Sequence, residues 1–261
     1  MDKVTLLIDG DVVVYRATTA VEQDIRWDED VHTLHSDPLE AQQNIKDQVN
    51  RWAKRFEADV VFAFSDKDNF RKTIFPAYKS NRKDKRKPLA YHDVKAWCEQ
   101  TYRSFTRPSL EGDDVLGILS TNEKIIRGQK IIVSVDKDFG CIPGYYWNSD
   151  RDDKPRFISD EDADRFHALQ TLTGDPTDGY PGCPGIGKVK AERLLDSTPV
   201  EDRWLAIVAA YEKQGLTEED ALVQARCARI LRTTDYDFKK KEPILWTPCA
   251  GTAEAPAKTT A

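Results

Sequence analysis

No run of apolar residues in this 261-residue chain is long enough to cross a bilayer. The opening Met1-Asp2-Lys3 lacks the basic-then-apolar pattern of a signal peptide, so neither a membrane partner nor a secretory leader is expected. Cysteine is sparse. Cys98, Cys141, Cys183, Cys227 and Cys249 are odd in number, widely spaced and form no Cys-x-x-Cys pair. Reduced thiols in a cytoplasmic compartment are the simplest reading. Only His32-x-x-His35 has a metal-pair spacing, and without a second pair of ligands nearby it reads as a solvated loop. An excess of positive charge is missing too: 45 Asp and Glu face 39 Lys and Arg, for a net charge of −6. This argues against a nucleic-acid protein coated in positive charge. It leaves room for one whose basic residues are local and whose acids hold metal. No internal repeat is visible.

What is present suffices for a full core. With 39% hydrophobic residues, the chain fits one large domain or a core plus a small subdomain. Val4 to Ile8 reads as a buried strand followed by a turn at Asp9-Gly10. Val60 to Phe64 and Lys130 to Val135 are two further buried strands, stopping at Ser65-Asp66 and at Asp136. Ile45, Val49, Trp52 and Phe56 recur at helical spacing, and Val115 to Leu119 begins another helix. Strands alternating with helices predict an α/β fold with a doubly wound, mostly parallel sheet. Ligands bind such sheets beyond the carboxyl ends of the strands, where all three strands deliver an Asp. After about Phe157 helices dominate, over Asp160–Thr171, Lys188–Leu195, Arg203–Tyr211 and Glu218–Leu231. The expected division is a core over 1–158, a helical subdomain over 159–249 and a disordered tail over 250–261.

Carboxylates stand at six places: Asp9, Asp66, Glu111 with Asp113 and Asp114, Asp136 with Asp138, Asp175, and Asp178. Each has a plainer explanation. Asp113 or Asp114 suits a helix cap, and Asp136, Asp138 and Asp175 suit turns. The predicted fold, however, brings several to one rim of the sheet. Carboxylates so crowded raise one another's pKa unless a counter-charge is present. Oxygen-only ligands favour Mg²⁺ or Mn²⁺ over Zn²⁺. Two ions about 4 Å apart stabilise the attacking and leaving oxygens of a phosphodiester, which points to phosphoryl-transfer chemistry.

Arg71, Lys72, Lys79, Arg82, Lys83, Lys85, Arg86 and Lys87 form a basic run with Asp84 as its one acid. Such a run is usually a solvated face. Here it follows the Asp66 strand and is interleaved with Phe70, Phe75 and Tyr78, which suits gripping and stacking a nucleic-acid strand. Gly182-Cys-Pro-Gly185-Ile-Gly187 then precedes a helix bearing Lys188, Lys190 and Arg193. Its glycines would let backbone approach a phosphate at a helix N-terminus.

These residues resemble the 5′ nucleases, the family of flap endonucleases and of the 5′-nuclease domains of bacterial DNA polymerases. The similar motifs are Leu7-Ile-Asp9-Gly, Phe64-Ser-Asp66, Tyr78-Lys79-Ser-Asn-Arg82, Glu111-Gly-Asp113-Asp114, Asp136-Lys-Asp138-Phe and Gly174-Asp175 through Gly187. Glu111-Gly-Asp-Asp-Val, Asp175-Pro-Thr-Asp-Gly-Tyr and Ala228-Arg-Ile-Leu-Arg232 look like the 5′-3′ exonucleases of short-tailed bacteriophages.

The resemblance implies a PIN-like core with a C-terminal helix–three-turn–helix subdomain. It implies a Mg²⁺-dependent hydrolase that degrades DNA from the 5′ end, with flap-endonuclease and RNA-primer-removing activity, in phage replication or genome degradation. One metal site would use Asp9, Asp66, Glu111 and Asp113. A second would use Asp136, Asp138, Asp175 and Asp178, with Asp114 serving either. Lys79 and Arg16 match positions near the scissile phosphate. Arg71, Lys72, Tyr78, Arg82, Lys83, Gly185, Gly187, Lys188 and Lys190 are the implied DNA contacts, with a K⁺ ion at the loop. Duplex DNA with a 5′ end or flap, an RNA–DNA hybrid and a monomeric enzyme complete the expectation. The chain departs from the family's pattern at Asp11, at Gly179-Tyr180 and at Val189, the last in a usual lysine position.

Two other enzyme classes and one binding class compete. Asp9-Gly-Asp11 resembles the nucleophile and general acid of haloacid-dehalogenase-type phosphatases, although Val13 stands where they carry Thr. Asp138-Phe-Gly140 invites a kinase reading without the accompanying Gly-rich loop. A non-catalytic DNA-binding module would not need the full set of acids.

Overall fold

The computed structural model describes residues 3–82 and 85–248. Lys83, Cys249 and the tail 250–261 lie outside them. In chain order the elements are β1 (Val4–Asp9), α1 (Gly10–Ala20), β2 (Glu22–Arg26), β3 (His32–Ser36), α2 (Pro38–Phe56), β4 (Asp59–Phe64), α3 (Arg71–Ile74), α4 (Tyr91–Thr101), β5 (Ser104–Thr106) and α5 (Gly112–Ser120). Then follow β6 (Gln129–Val133), β7 (Gly144–Trp147), β8 (Arg156–Ile158), α6 (Asp160–Thr173), α7 (Lys188–Asp196), α8 (Arg203–Glu212) and α9 (Glu218–Ala228).

Six strands form one sheet in the order β5-β4-β1-β6-β7-β8, parallel except for β8. From β1 the chain moves outward through β4 and β5, then returns to place β6 on the other side of β1. The winding direction therefore reverses between β1 and β6, where a doubly wound sheet opens its ligand crevice. Asp9 ends β1, and Asp136 follows β6 by three residues, so the two flank this crevice.

Alternation along the strands divides the core. Leu6, Ile8, Phe62, Phe64, Ile131 and Val133 pack against α1, α2 and α4 through Val14, Ile45, Val49, Val94 and Cys98. Leu7, Val61, Ala63 and Ile132 face α5 through Val115, Leu116 and Leu119. Covered on both faces, the parallel strands read as continuous apolar runs rather than as alternating ones. The helices α6 to α9 share their own cluster around Leu172, Leu195, Ile207 and Tyr211. Ala163 of α6, with Ile230 and Leu231 after α9, joins the core under the sheet.

Three expectations change. The turn after Asp9 does not exist, because α1 starts at Gly10, with the Asp9 carboxylate capping Val12 N at 3.1 Å. The run Val12-Val13-Val14 is a poor helix former, and burial of Val13 and Val14 outweighs that. His32 and His35 lie on β3, in a two-stranded hairpin with β2, not in a loop. The last helix stops at Ala228 instead of Leu231, since Arg229 leaves helical geometry at ψ 110°.

That departure has a cause. Leu231 N donates to Asp114 Oδ1 at 3.1 Å, and Asp114 forms a paired bond with Arg71 at 2.7 Å to each oxygen. Arg71 and Asp114 are 2% and 0% exposed. Arg71 also donates to the carbonyls of Cys227 and Arg229. Removing one partner of a buried pair leaves an uncompensated charge, at a cost of roughly 3–5 kcal/mol. Asp114→Ala should therefore lower the unfolding free energy by about that amount in a denaturant titration. A loss under about 1 kcal/mol would show that the pair does not hold the fold.

Candidate active site

The acids reach the sheet edge by different routes. In Glu111-Gly-Asp113-Asp114, successive helical residues point about 100° apart. Asp114 turns inward to Arg71, whereas Asp113 lines the cleft. Asp136 follows β6 and caps the short 3₁₀ turn holding Asp138, through Asp138 N at 2.9 Å. Ser134 joins the two sides of the crevice. Its hydroxyl donates to Asp9 Oδ2 at 2.8 Å and accepts from Asp136 N at 3.1 Å. Asp175 and Asp178 come from the loop after α6, where Gly174 and Gly182 lie back to back. Both have positive φ, and a Cβ on either would meet the other's backbone at 2.5 Å or less.

The result is a cleft of about 560 Å³ with two characters. Asp9, Asp11, Glu111, Asp113, Asp136 and Asp178 line one part, and Arg16, Lys79, Arg82, Lys85, Arg86 and Lys87 another. Asp138 lies behind, in a smaller recess that also exposes Glu111, Asp113, Asp136 and Asp178. Asp175 is connected through Lys137, whose ammonium is 3.2 Å from both Asp138 Oδ1 and Asp175 Oδ2. Lys79 forms a similar bridge, bonded to Glu111 and 3.5 Å from Asp178.

Charge is unevenly compensated. Burial, then the charges of Asp11 and Asp136, push Asp9 up to about 7, against hydrogen bonds from Ser134 and Val12. Burial and the neighbouring Asp9 and Asp136 hold Asp113 well above the usual carboxylate range. Burial and Asp136 raise Asp138 to about 6, against the pull of Lys137. Glu111 goes the other way. Burial would raise it, but Lys79 and Arg71 outweigh burial and bring it down to about 2. Among the described residues, no three His, Cys, Asp or Glu side chains converge closely enough to chelate an ion as they stand. The floor is an open acidic surface, negative beyond what its lysines neutralise.

Several sequence-derived candidates lie elsewhere or act differently. Asp66 does not line the cleft; its carboxylate accepts Ser109 N at 2.8 Å. Asp114 has both oxygens bound by Arg71 and is no open ligand. Arg71 is buried and so is not a surface contact for a nucleic acid. Tyr78, 3% exposed, offers no face for stacking; its hydroxyl bonds Glu111 and Asp178, both at 2.9 Å. Arg16 stands on the cleft wall, paired with Asp150 at 2.8 Å. Arg82 is paired with Asp178 at 2.7 Å, and Lys72 is exposed.

In the glycine loop, Gly185 has φ +74°, but Gly187 is the N-cap of α7 at φ −89° and requires no glycine for its backbone. Lys188 pairs with Glu192 at 3.8 Å, and the Lys190 ammonium donates to the Gly185 carbonyl at 2.8 Å. Lys83 lies outside the described residues. Asp11, an acid of unassigned role in the sequence, accepts Ser65 N and the Tyr91 hydroxyl, both at 2.7 Å. With both oxygens engaged, it is a poor general acid for a phosphatase. Sequence reasoning missed Ser134, Lys137 and Gln170. The first two flank or interrupt the Asp136-Lys-Asp138 motif, while nothing in the sequence marks Gln170.

Comparisons with known proteins agree with this architecture. A family model described as "5′-3′ exonuclease, N-terminal resolvase-like domain" matches residues 4–144. The chain is 34% identical to the exonuclease of Escherichia phage T7, over 95% of this chain and 94% of that protein. It is equally 34% identical to the exodeoxyribonuclease of Enterobacteria phage T3, with the same coverage. Among solved structures, the T5 D15 protein co-crystallised with metal ions superposes with a TM-score of 0.69. That match covers 89% of this chain and 90% of the other at 15% identity, a likeness of fold.

The raised acids make a stability prediction. A carboxyl whose folded pKa exceeds its unfolded value stabilises the fold below about pH 4, and that stability is lost as pH rises through the folded value. For Asp9 and Asp138 the window runs from about 4 up to about 7 and about 6 respectively. His167, which burial brings down to about 3, works in the opposite sense between about 3 and its ordinary value near 6.5. The parent's pH curve therefore mixes the two, and a variant separates them. Asp113→Asn should raise the thermal midpoint in EDTA at about pH 8 by several degrees, with a smaller gain at about pH 5. An unchanged or lowered midpoint at pH 8 would show that Asp113 carries no repulsion.

Proposed function

Because the chain belongs to the 5′-3′ exonuclease family, we propose that it hydrolyses phosphodiester bonds of DNA from the 5′ end, with divalent cations on its acidic floor. The observation that carries this reading is the cleft itself, with acids beyond their counter-charge beside a basic wall of lysines and arginines. A strand needs the basic part for its phosphates and the acidic part for the reaction.

The donor set fits a hard cation. All its members are carboxylates, and the ammonium groups of Lys79 and Lys137 already sit between pairs of them as protein-borne cations. One ion is assigned to Asp9, Glu111, Asp113 and Asp136, and a second to Asp136, Asp138, Asp175 and Asp178. Asp66 and Asp114 leave the earlier set. Mg²⁺ keeps several waters and uses few carboxylates, so an open floor suits it better than a closed cage. When bound, Mg²⁺ or Mn²⁺ supplies counter-charge to the floor and Lewis acidity to the phosphate.

The chain's own groups do the rest. Tyr78 fixes the carboxylates of Glu111 and Asp178 through its hydroxyl. Lys79 is held at φ +52°, its N–H donating to Asp178 O at 2.7 Å. Burial would lower its pKa, but Glu111, Asp178 and Asp113 outweigh burial and keep it protonated. It is thus a fixed cation at the boundary between floor and wall, placed to stabilise charge on the transferring phosphate. Arg82, Lys85, Arg86 and Lys87 guide the strand, and Arg16 meets it from α1. Lys72, Lys188 and Lys190 are assigned to more distant phosphates of the duplex.

The Gly185-to-Gly187 turn faces the same duplex. A K⁺ ion there would compete with Lys190 for the Gly185 carbonyl. Flap cleavage and removal of RNA from RNA–DNA hybrids are the same chemistry on other 5′ ends and belong to this proposal. The setting is replication or breakdown of a phage-type genome, with a monomer sufficient because one chain forms the cleft.

Two measurements test this. Cleavage of duplex DNA should require Mg²⁺ or Mn²⁺ and stop in EDTA. Lys79→Ala should lower kcat on the order of 100-fold while DNA affinity changes only a few-fold. Lost affinity with normal turnover at saturation would make Lys79 a plain phosphate contact.

A further inference from the structure

Gln170 lies on α6, five residues before Asp175, and is 6% exposed. Its side-chain amide donates from Nε2 to Asp138 Oδ1 at 2.8 Å. Its other end, Oε1, is buried without a hydrogen-bond partner. An ionised carboxylate only accepts, so the amide N–H must face Asp138, and the carbonyl is thereby turned away from it. A buried acceptor left without a donor is costly, and an apolar side chain of similar length would fill this space without that penalty. The arrangement is understandable where the N–H must hold Asp138, the unpaired carbonyl being the consequence of that contact.

We propose that Gln170 is a positioning residue for the divalent-cation site, fixing through its N–H the orientation in which the Asp138 carboxylate meets the ion. This rests on the cation-dependent reading above. Asp138 Oδ1 has a second partner, the Lys137 ammonium at 3.2 Å, but Lys137 is 73% exposed and free to swing into solvent. Gln170, anchored in a helix and enclosed, is the partner that remains. Groups that hold a ligating carboxylate or a bound water tune cation affinity although they never touch the ion. Gln170 thus sets how tightly an ion is held at the Asp136–Asp138 side of the floor.

The test is a Mg²⁺ titration of the thermal midpoint of the full chain at fixed pH, without DNA, for the parent, Gln170→Met and Thr18→Val. Thr18 is a buried polar residue of α1 whose hydroxyl donates to Val14 O at 2.7 Å within its own helix. Gln170→Met should need about tenfold more Mg²⁺ for the half-maximal shift, whereas Thr18→Val, whatever its stability, should match the parent. In DNA cleavage, raising Mg²⁺ should restore much of the kcat of Gln170→Met with KM for DNA unchanged. A role in packing alone would give neither result.

Gln170→Asn, whose shorter arm cannot reach Asp138, carries the same expectation if the Met variant does not fold. A half-saturating Mg²⁺ concentration equal to the parent's in the folded variant overturns the role of Gln170. The absence of any Mg²⁺-linked shift in the parent would instead overturn the cation reading beneath it.

Discussion

A bidentate ion pair sealed from water, Arg71 with Asp114, ties together three segments beneath the acidic floor and sets the turn that carries Glu111 and Asp113. Arg71 opens α3 beyond the carboxyl end of β4, Asp114 lies in the first turn of α5, and the carbonyls of Cys227 and Arg229 come from the end of α9. Two such charges persist in a dry interior only when nearly every donor and acceptor is used. Here Asp114 also takes the N–H groups of Leu231 and Glu111. Glu111 and Asp113 depend on this arrangement, since the turn that buries Asp114 is the one that presents them to the cleft. Arg71 reaches Glu111 as well, at 3.3 Å, and helps to keep it ionised.

The same pair explains where sequence reading worked and where it did not. Strands ending in an acid are legible because burial and topology both act on short apolar runs, and β1, β4 and β6 were found in that way. The family motifs located the acids, but sequence carries no sign of which member of Glu111-Gly-Asp113-Asp114 turns inward. That depends on Arg71, 43 residues away. Tyr78 and Arg71 sit in a basic, aromatic stretch and look like nucleic-acid contacts, yet their side chains serve the carboxylates. The helix α1 was hidden by its three valines, whose local preference is for strands. Gln170 was invisible because only the packing of α6 against the Asp136–Cys141 turn gives it a role.

The electrostatics reconcile a net charge of −6 with a polyanionic substrate. Net charge acts at long range and is screened beyond about 8 Å at physiological ionic strength. Under the proposed function, the cations a strand would meet first in the cleft are the side chains of the basic wall, and the anions are those that divalent ions would neutralise. By itself the chain keeps an unfavourable concentration of charge in the cleft, and the rest of the fold sustains it. Lys79 and Lys137 moderate that repulsion without abolishing it, as the raised values of Asp9 and Asp138 show.

Polarity of attack tests the central claim most directly. One duplex DNA is labelled at its 5′ terminus and an otherwise identical one at its 3′ terminus, and both are digested in Mg²⁺ with the protein in limiting amount. Attack from the 5′ end should release the 5′ label early in mono- or short oligonucleotides, while the 3′-labelled strand shortens gradually. Early release of the 3′ label, or no cleavage of either substrate by the folded protein in Mg²⁺, would contradict it.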